Sequence, residues 1–427
     1  MQSLIGFVGM THLGLVSGIS AAEKGFQVVC FDPDASRTVL LAQGKLPVSE
    51  PKLDELLANN KARLQFTSDP AALAVCSLVF VAPDVATDDQ GRSDLGPINT
   101  LLDKVFESVR KGTVIVVLSQ VPPGFTRGKQ RPGRILYCQV ETLIFGRAVE
   151  RALFPERYIV GCADPAQPLP VPYATFLAAH GCPVLPMRYE SAELAKMSIN
   201  MCLVASVSTA NILAELCESI GADWSEIVPA LKLDRRIGQD AYLTPGLGIA
   251  GGNLERDLAT VCNLADLHGT DVAVVRAWIA NSRHRRDWAF RTLHREVLSR
   301  TADPVIAVLG LAYKQDTHST KNSPAIALLE QLKSFRVRVF DPVVPASAAP
   351  NPRSYAAVSE LEACAGADAL VVMTPWSQFA KLAPANIAKK LRGKAVLDPY
   401  AVLSMVACRA SGLDYWTLGV GSEPEKI

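Results

Sequence analysis

No sign of charge dominates this chain of 427 residues: 43 Lys and Arg stand against 42 Asp and Glu, a formal net charge of +1. Without a basic excess there is no electrostatic footprint for nucleic acid, and without a polybasic run there is no anchor for an anionic membrane surface. A disulfide framework is missing too. The ten cysteines are scattered singly, with no C-x-x-C and no Cys/His group at zinc spacing. That predicts reduced thiols in a cytoplasmic protein and no metal site. The opening MQSLIGFVGM has no charged segment ahead of an apolar one, so no secretory leader is expected. Long apolar runs are scarce: residues 197–213 are interrupted by Asn200, Ser206, Thr209 and Asn211, so no bilayer-spanning segment is expected. What remains, 49% apolar and 20% charged residues, is the composition of a soluble globular protein of two or three domains. Small molecules and further copies of the chain are the expected partners, with no nucleic acid and no membrane.

The hydrophobic period changes twice along the chain. Apolar runs at 3–8, 27–31, 78–82 and 113–118 are bounded by turn residues, and 13–24 has helical spacing closed by Gly25. Strand, helix, strand at this pitch is the βαβ unit of a buried parallel sheet. From Ser191 to about Leu231 the period is helical. TPGLGIAGGN follows, and helical spacing resumes from Leu254 to about Val297. The last segment returns to strand and helix: strands at 304–310, 336–340, 369–373 and 395–397, and a helix at 323–333 with Pro324 in its first turn. Strands ending at Gly310 and Asp341 echo those ending at Gly9 and Asp32. The expectation is an α/β protein of two Rossmann-like doubly wound domains joined by a central helical domain, divided at 1–190, 191–297 and 298–427.

After the first strand comes Gly9-Met10-Thr11-His12-Leu13-Gly14, where a dinucleotide-binding fold places G-x-G-x-x-G. The first Gly permits the tight turn, the second lets backbone approach a pyrophosphate, and the third lets the helix pack on the sheet. Thr11 stands at the second position, putting a Cβ and a hydroxyl where phosphate oxygens approach, although the hydroxyl is itself a donor. Asp32 ends the second strand, where an acid meets the ribose hydroxyls of NAD and disfavours NADP. The same spacing also suits a βαβ turn that binds nothing.

Several separated motifs then occur in order. They are VVCFDPD with QGKLPVSEPKLDELL, LSQVPPGFT, SAELAKMSIN, LDRRIG with YLTPGLGIAGG, VIAVLGLAYKQDTHSTKNSPA, and MTPWSQF. Together they resemble the UDP-glucose/GDP-mannose dehydrogenase family over nearly the whole chain. The resemblance implies oxidation of a sugar C6 alcohol to a carboxylate with two NAD per turnover, through a Cys-bound thiohemiacetal and thioester. It implies Lys196 and Asn200 as the oxyanion pair, Asp257 at the end of the catalytic loop, and Glu141 as the acid of N-P-E-F-L. Lys196 and Asn200 are four residues apart and so share a helix face. It implies Gly9, Thr11, His12, Leu13, Gly14, Asp32, Ser119 and Pro122 on the NAD side. On the nucleotide-sugar side it implies Tyr242, Gly246, Gly248, Arg236, Lys314 and Lys321. It further implies a homodimer through the central helices, with Arg236 reaching into the partner's site.

One departure falls on the reaction centre. Where the family reads G-F-G-G-S-C-F-P-K-D, this chain reads Gly248-Ile249-Ala250-Gly251-Gly252-Asn253-Leu254-Glu255-Arg256-Asp257. A carboxamide nitrogen is delocalised and is no nucleophile, so Asn253 cannot carry a thioester. Pro-Lys has become Glu255-Arg256, and the Arg before Ser-Pro has become Lys321-Asn322, which keeps charge but not a bidentate fork. Cys138 and Cys202 are the candidates for a displaced thiol, and a structural Cys is the commoner case. Three readings stay open. One is an NAD-dependent nucleotide-sugar dehydrogenase in which Asn253 positions substrate without covalent catalysis. Another is transient oxidation ending at the aldehyde or serving epimerisation. The third is a nucleotide-sugar-binding paralogue without turnover.

Overall fold

The computed structural model describes residues 4–88 and 92–421. Ser3, expected in the first strand, lies outside them. The chain divides into two compact units, Met1–Ile199 and Asn200–Ile427.

The first unit is built on an eight-stranded sheet. Its strands are β1 (Leu4–Val8), β2 (Gln27–Phe31), β3 (Leu64–Thr67), β4 (Leu78–Val81), β5 (Val114–Val117), β6 (Ile135–Gln139), β7 (Tyr158–Cys162) and β8 (Val184–Arg188). Their order is β3-β2-β1-β4-β5-β6-β7-β8. All neighbours are parallel except β6 and β7, which run antiparallel. Strands β4 and β5 are buried along their whole length, as their unbroken apolar runs require. The helix after β1 spans His12–Glu23, one residue earlier at each end than its spacing predicts. Sequence order reverses between β1 and β4, which in an open α/β sheet opens a ligand crevice at the carboxyl ends of the strands. Strands β3, β6, β7 and β8 were not expected: β3 and β8 are partly exposed, so neither reads as an apolar run, whereas β7 is buried along its whole length.

The second unit holds the other sheet: β9 (Val305–Leu309), β10 (Arg336–Phe340), β11 (Ser354–Ala356), β12 (Ala369–Val372), β13 (Ala395–Leu397) and β14 (Asp414–Trp416), ordered β11-β10-β9-β12-β13-β14. Every pair is parallel. The two sheets match the expected doubly wound halves.

The helical stretches are more broken than their period suggests. The first becomes Tyr189–Ile220 and Trp224–Leu233, parted at Gly221, whose φ of 76° ends the long helix in a left-handed turn. The second becomes Asn253–His268, Ala273–Arg286 and Trp288–Leu293. The expectation that no segment is long and apolar enough to cross a membrane is corrected at Tyr189–Ile220. This helix of 32 residues meets that test by length and composition. Two of its polar interruptions, Asn200 and Asn211, are buried, and Asn211 Oδ1 accepts the Gly246 N–H at 2.8 Å, whereas Thr209 is exposed.

Candidate functional site

The turn after β1 is shaped as a nucleotide loop. Gly9 has φ 92°, and a Cβ there would lie 2.9 Å from the Pro83 nitrogen. At Gly14 a Cβ would lie 1.9 Å from the Gly9 carbonyl oxygen, so the helix start sits directly against the turn. Thr11 precedes the helix with extended backbone, and its hydroxyl accepts the Asp84 N–H at 2.8 Å. A hydroxyl used as an acceptor keeps its own proton to donate. Asp84, exposed after β4, reaches the Leu13 N–H at 3.4 Å.

Asp32 has a wider structural role than its position after β2 implies. The buried carboxylate accepts the Met10 N–H at 2.7 Å, Arg37 Nη1 at 2.9 Å and the Asp34 N–H at 3.0 Å. It therefore fastens the Gly9 turn to the second strand. His12 points elsewhere in the same unit: Nε2 lies 2.8 Å from Glu50 Oε1, and the ring packs against Phe145 at 4.3 Å. The Glu50 side chain is buried and also accepts the N–H groups of Gly146 (3.0 Å) and Ala148 (3.2 Å). One carboxylate thus joins the first helix to the segment that follows Glu141. Ser119 donates to the Pro83 carbonyl, and the Pro122 carbonyl accepts the Phe125 N–H.

Glu141 lies just beyond β6, in a small cavity that Ser119, Cys138, Glu193 and Lys196 also line. Burial pushes its carboxyl up to about 7, against the opposing pull of the Lys196 ammonium and the Leu143 amide. A carboxyl poised there exchanges a proton at neutral pH, which an ordinary surface glutamate does not. Cys138 is 4% exposed, and burial raises its thiol far above the usual range. Cys202 is exposed, on the long helix.

In the second unit, Asn200 donates through Nδ2 to the fully buried Asp257, and Arg256 Nε lies 3.3 Å from the same carboxylate. Asn200 and Asp257, predicted from separate motifs, therefore form one polar pair. Asn253 opens the helix Asn253–His268 and is exposed. The glycine turn before it is held from the start of the C-terminal α/β segment. The Gly251 N–H donates to the Lys321 carbonyl at 3.2 Å, and Asn322 Nδ2 donates to both the Gly251 carbonyl and Glu255. The Lys321 side chain passes over Gly252, and Lys314 lies 5.8 Å above the Tyr313 ring. Gly246 is tied to Asn211, and Ile249, beside Gly248, donates to Ser282 Oγ at 2.7 Å. Tyr242 is 49% exposed. Arg236 stands in solvent, bidentate on Asp234.

Residues 3–168 match the NAD binding domain of the UDP-glucose/GDP-mannose dehydrogenase family, 190–283 its central domain and 307–405 its UDP binding domain. The chain belongs to the UDP-glucose/GDP-mannose dehydrogenase family. It is similar to UDP-glucose 6-dehydrogenases of Rickettsia conorii (29% identity, covering 97% of this chain and 99% of that one) and Pseudomonas aeruginosa (30%, covering 96% of each). In fold it is similar to a UDP-glucose dehydrogenase structure from Pyrobaculum islandicum, with a TM-score of 0.82 at 24% identity over 95% of this chain and 96% of that one. Family membership makes the Gly9–Gly14 turn part of an NAD-binding domain and places strands β10 to β13 in a UDP-binding one.

Sequence reasoning did not single out Glu50, Asp84, Arg37 and Glu193. Glu50 and Glu193 stood inside motifs already quoted, SEPKLDELL and SAELAK, and an acid within such a motif was the available signal. Asp84 and Arg37 had none, because their partners are met only once the chain has folded.

Proposed function

We propose that this chain oxidises the C6 alcohol of a UDP-glucose-like nucleotide sugar with NAD, and does so without an enzyme-bound thioester. The observation that carries this is Glu141, whose carboxyl is raised to about 7 beside Lys196. Glu141 is then the group that accepts the alcohol proton, directly or through one water, as Lys196 stabilises the developing oxyanion. Bound NAD supplies the hydride acceptor. Asn200, expected beside Lys196 at the oxyanion, has its amide engaged with Asp257, and with Arg256 it holds Asp257 in place as a second proton-handling acid. Asn253 is a polar positioning group, expected within roughly 2.7–3.2 Å of a bound C6 oxygen. The aldehyde is then hydrated, and the second oxidation proceeds from the gem-diol.

The substrate class is supported by the UDP binding domain match and by the UDP-glucose 6-dehydrogenase names of relatives aligned over 97% of the chain. On the cofactor side the reading includes the Gly9–Gly14 turn, Asp32, Ser119 and Pro122. The Asp84 carboxylate near the Leu13 amide would be displaced by the pyrophosphate. On the sugar side it includes Tyr242, Gly246, Gly248, Lys314 and Lys321. The division at 1–190, 191–297 and 298–427, a cytoplasmic location and a homodimer belong to the same reading. The homodimer is supported by the exposed face of the long helix: Ile212, Leu216 and Ile220 are 52%, 51% and 65% exposed at a spacing of four residues. Arg236, solvent-exposed in one protomer, is assigned to the partner's site.

A second reading, nucleotide-sugar binding without turnover, is favoured by Thr11, Asp84 and Asn253. Stoichiometry separates the cases across a panel of UDP-, GDP- and dTDP-sugars. Two NADH per sugar supports full oxidation. One supports an enzyme that stops at the aldehyde. A transient reduced cofactor with no net NADH supports epimerisation, and retained binding with no reduction at all supports the second reading.

A further inference from the structure

A buried carboxylate that the mechanism does not use sits at the start of the long helix. Glu193 is 4% exposed, and its two oxygens accept backbone donors from a single loop: the Gly124 N–H at 2.6 Å and the Thr126 N–H at 2.9 Å. The loop follows β5, turns through Gly124 at φ 90° and enters the short helix Phe125–Gly128. Glu193 thus satisfies two amides that the helix start leaves without partners. Burying a carboxylate costs several kcal/mol unless hydrogen bonds compensate, so an acid used in this way fixes its partners closely. Other contacts between the loop and the helix are peripheral. Arg127 pairs with Glu190 at the surface, and Gln130 donates to the Tyr189 hydroxyl at 3.0 Å.

The place of this loop gives the contact its meaning. It leaves the carboxyl end of β5, two strands from the crevice where the strand order reverses, in the half of the sheet that takes the second mononucleotide of a dinucleotide. Glu193 is also three residues before Lys196, on the same side of the helix. Ser119, Glu141, Glu193 and Lys196 line one cavity. We propose that Glu193 is a positioning residue: it holds the loop after β5 in register with Lys196, so that the order of this loop sets the affinity for NAD. The proposal rests on the dehydrogenase reading for its ligand and on geometry alone for the tether.

The test measures two quantities on the full chain, neither needing the sugar. Hydrogen exchange at the Gly124 and Thr126 amides reports the tether, and NADH fluorescence titration reports the affinity. In Glu193→Ala the two amides should exchange at least about tenfold faster, and NADH should bind about tenfold more weakly, the usual scale for losing charge-assisted hydrogen bonds. Glu193→Gln, which keeps one acceptor oxygen, should fall between Ala and wild type in both readouts and serves if the Ala variant does not fold. Arg127→Ala, which removes the surface pair with Glu190 and the guanidinium over the Tyr189 ring but leaves both Glu193 hydrogen bonds, should leave both unchanged. Unchanged exchange overturns the tether. Faster exchange with NADH affinity within twofold of wild type overturns the positioning role. If wild-type protein bound no NADH while the two amides still responded to Glu193→Ala, the dehydrogenase reading would fall and the tether would stand.

Discussion

Replacing Glu141 by Gln should make the protein more stable and nearly inactive, and the gain in stability should depend on pH in one direction. The carboxyl titrates at about 7 rather than 4.5, chiefly because burial disfavours its charged form. That difference corresponds to about 3 kcal/mol. Below pH 4.5 the group is neutral in both folded and unfolded chains and contributes no penalty. As pH rises from 4.5 to 7 the unfolded chain loses the proton while the folded one keeps it, so stability falls. Above 7 the full penalty persists. Gln preserves the carbonyl oxygen that accepts the Leu143 N–H but carries no charge, so the variant escapes the penalty. The stability difference between Glu141→Gln and wild type should therefore be near zero at pH 4 and about 3 kcal/mol in favour of the variant at pH 8. For a unit of this size that is a rise of roughly 6–12 °C in Tm. Subtracting wild type at each pH removes the contributions of other raised carboxyls such as Glu193 and Asp398. NAD reduction by the variant should fall by about a hundredfold to ten-thousandfold, the usual worth of a general base. A stability difference flat across pH 4 to 8, or a variant less stable than wild type at pH 8, would refute the reasoning whatever the activity.

Lys196→Ala should lower NAD reduction about a hundredfold, the typical effect of losing one oxyanion donor. Because the ammonium pulls the Glu141 carboxyl downward, the acid limb of the pH–rate profile should move to higher pH in that variant. Cys138→Ser and Cys202→Ser should each keep wild-type turnover, and mass spectrometry of quenched reactions should show no sugar adduct; a trapped thioester on either Cys would end the non-covalent account. Asp32→Ala should reduce the preference for NAD over NADP and also lower Tm, since the carboxylate holds the Met10 amide; an unchanged preference would remove Asp32 from the cofactor site. Sedimentation at micromolar concentration should show a dimer, and Leu216→Glu, which sets a charge on the exposed apolar face of the long helix, should dissociate it; a wild-type monomer would remove both the interface and the role of Arg236.

Much of the fold was legible along the chain because its elements are marked locally. The apolar runs of β1, β4 and β9, the Gly9 turn and the helix that follows depend on neighbours in sequence. The central helices were legible in kind but not in number, since Gly221 and Gly269 break a period that the apolar pattern carries straight through. Strands β3 and β8 were not legible, because a partly exposed strand pairs through its backbone and leaves little trace in side-chain pattern. The candidate site divides the same way. The order of the motifs is what nominates residues for the proposed reaction centre, Asn253 at the Cys position among them. What each does for its neighbours was decided by the tertiary structure. Asp32 fastens Met10, Glu50 gathers His12, Gly146 and Ala148, Asn200 meets Asp257, and Glu193 holds Gly124 and Thr126. These pairs are separated by 22 to 98 residues. Hydrogen bonds over such distances follow no local period, and the lift of Glu141 toward 7 exists only once the folded chain has taken its carboxyl out of water.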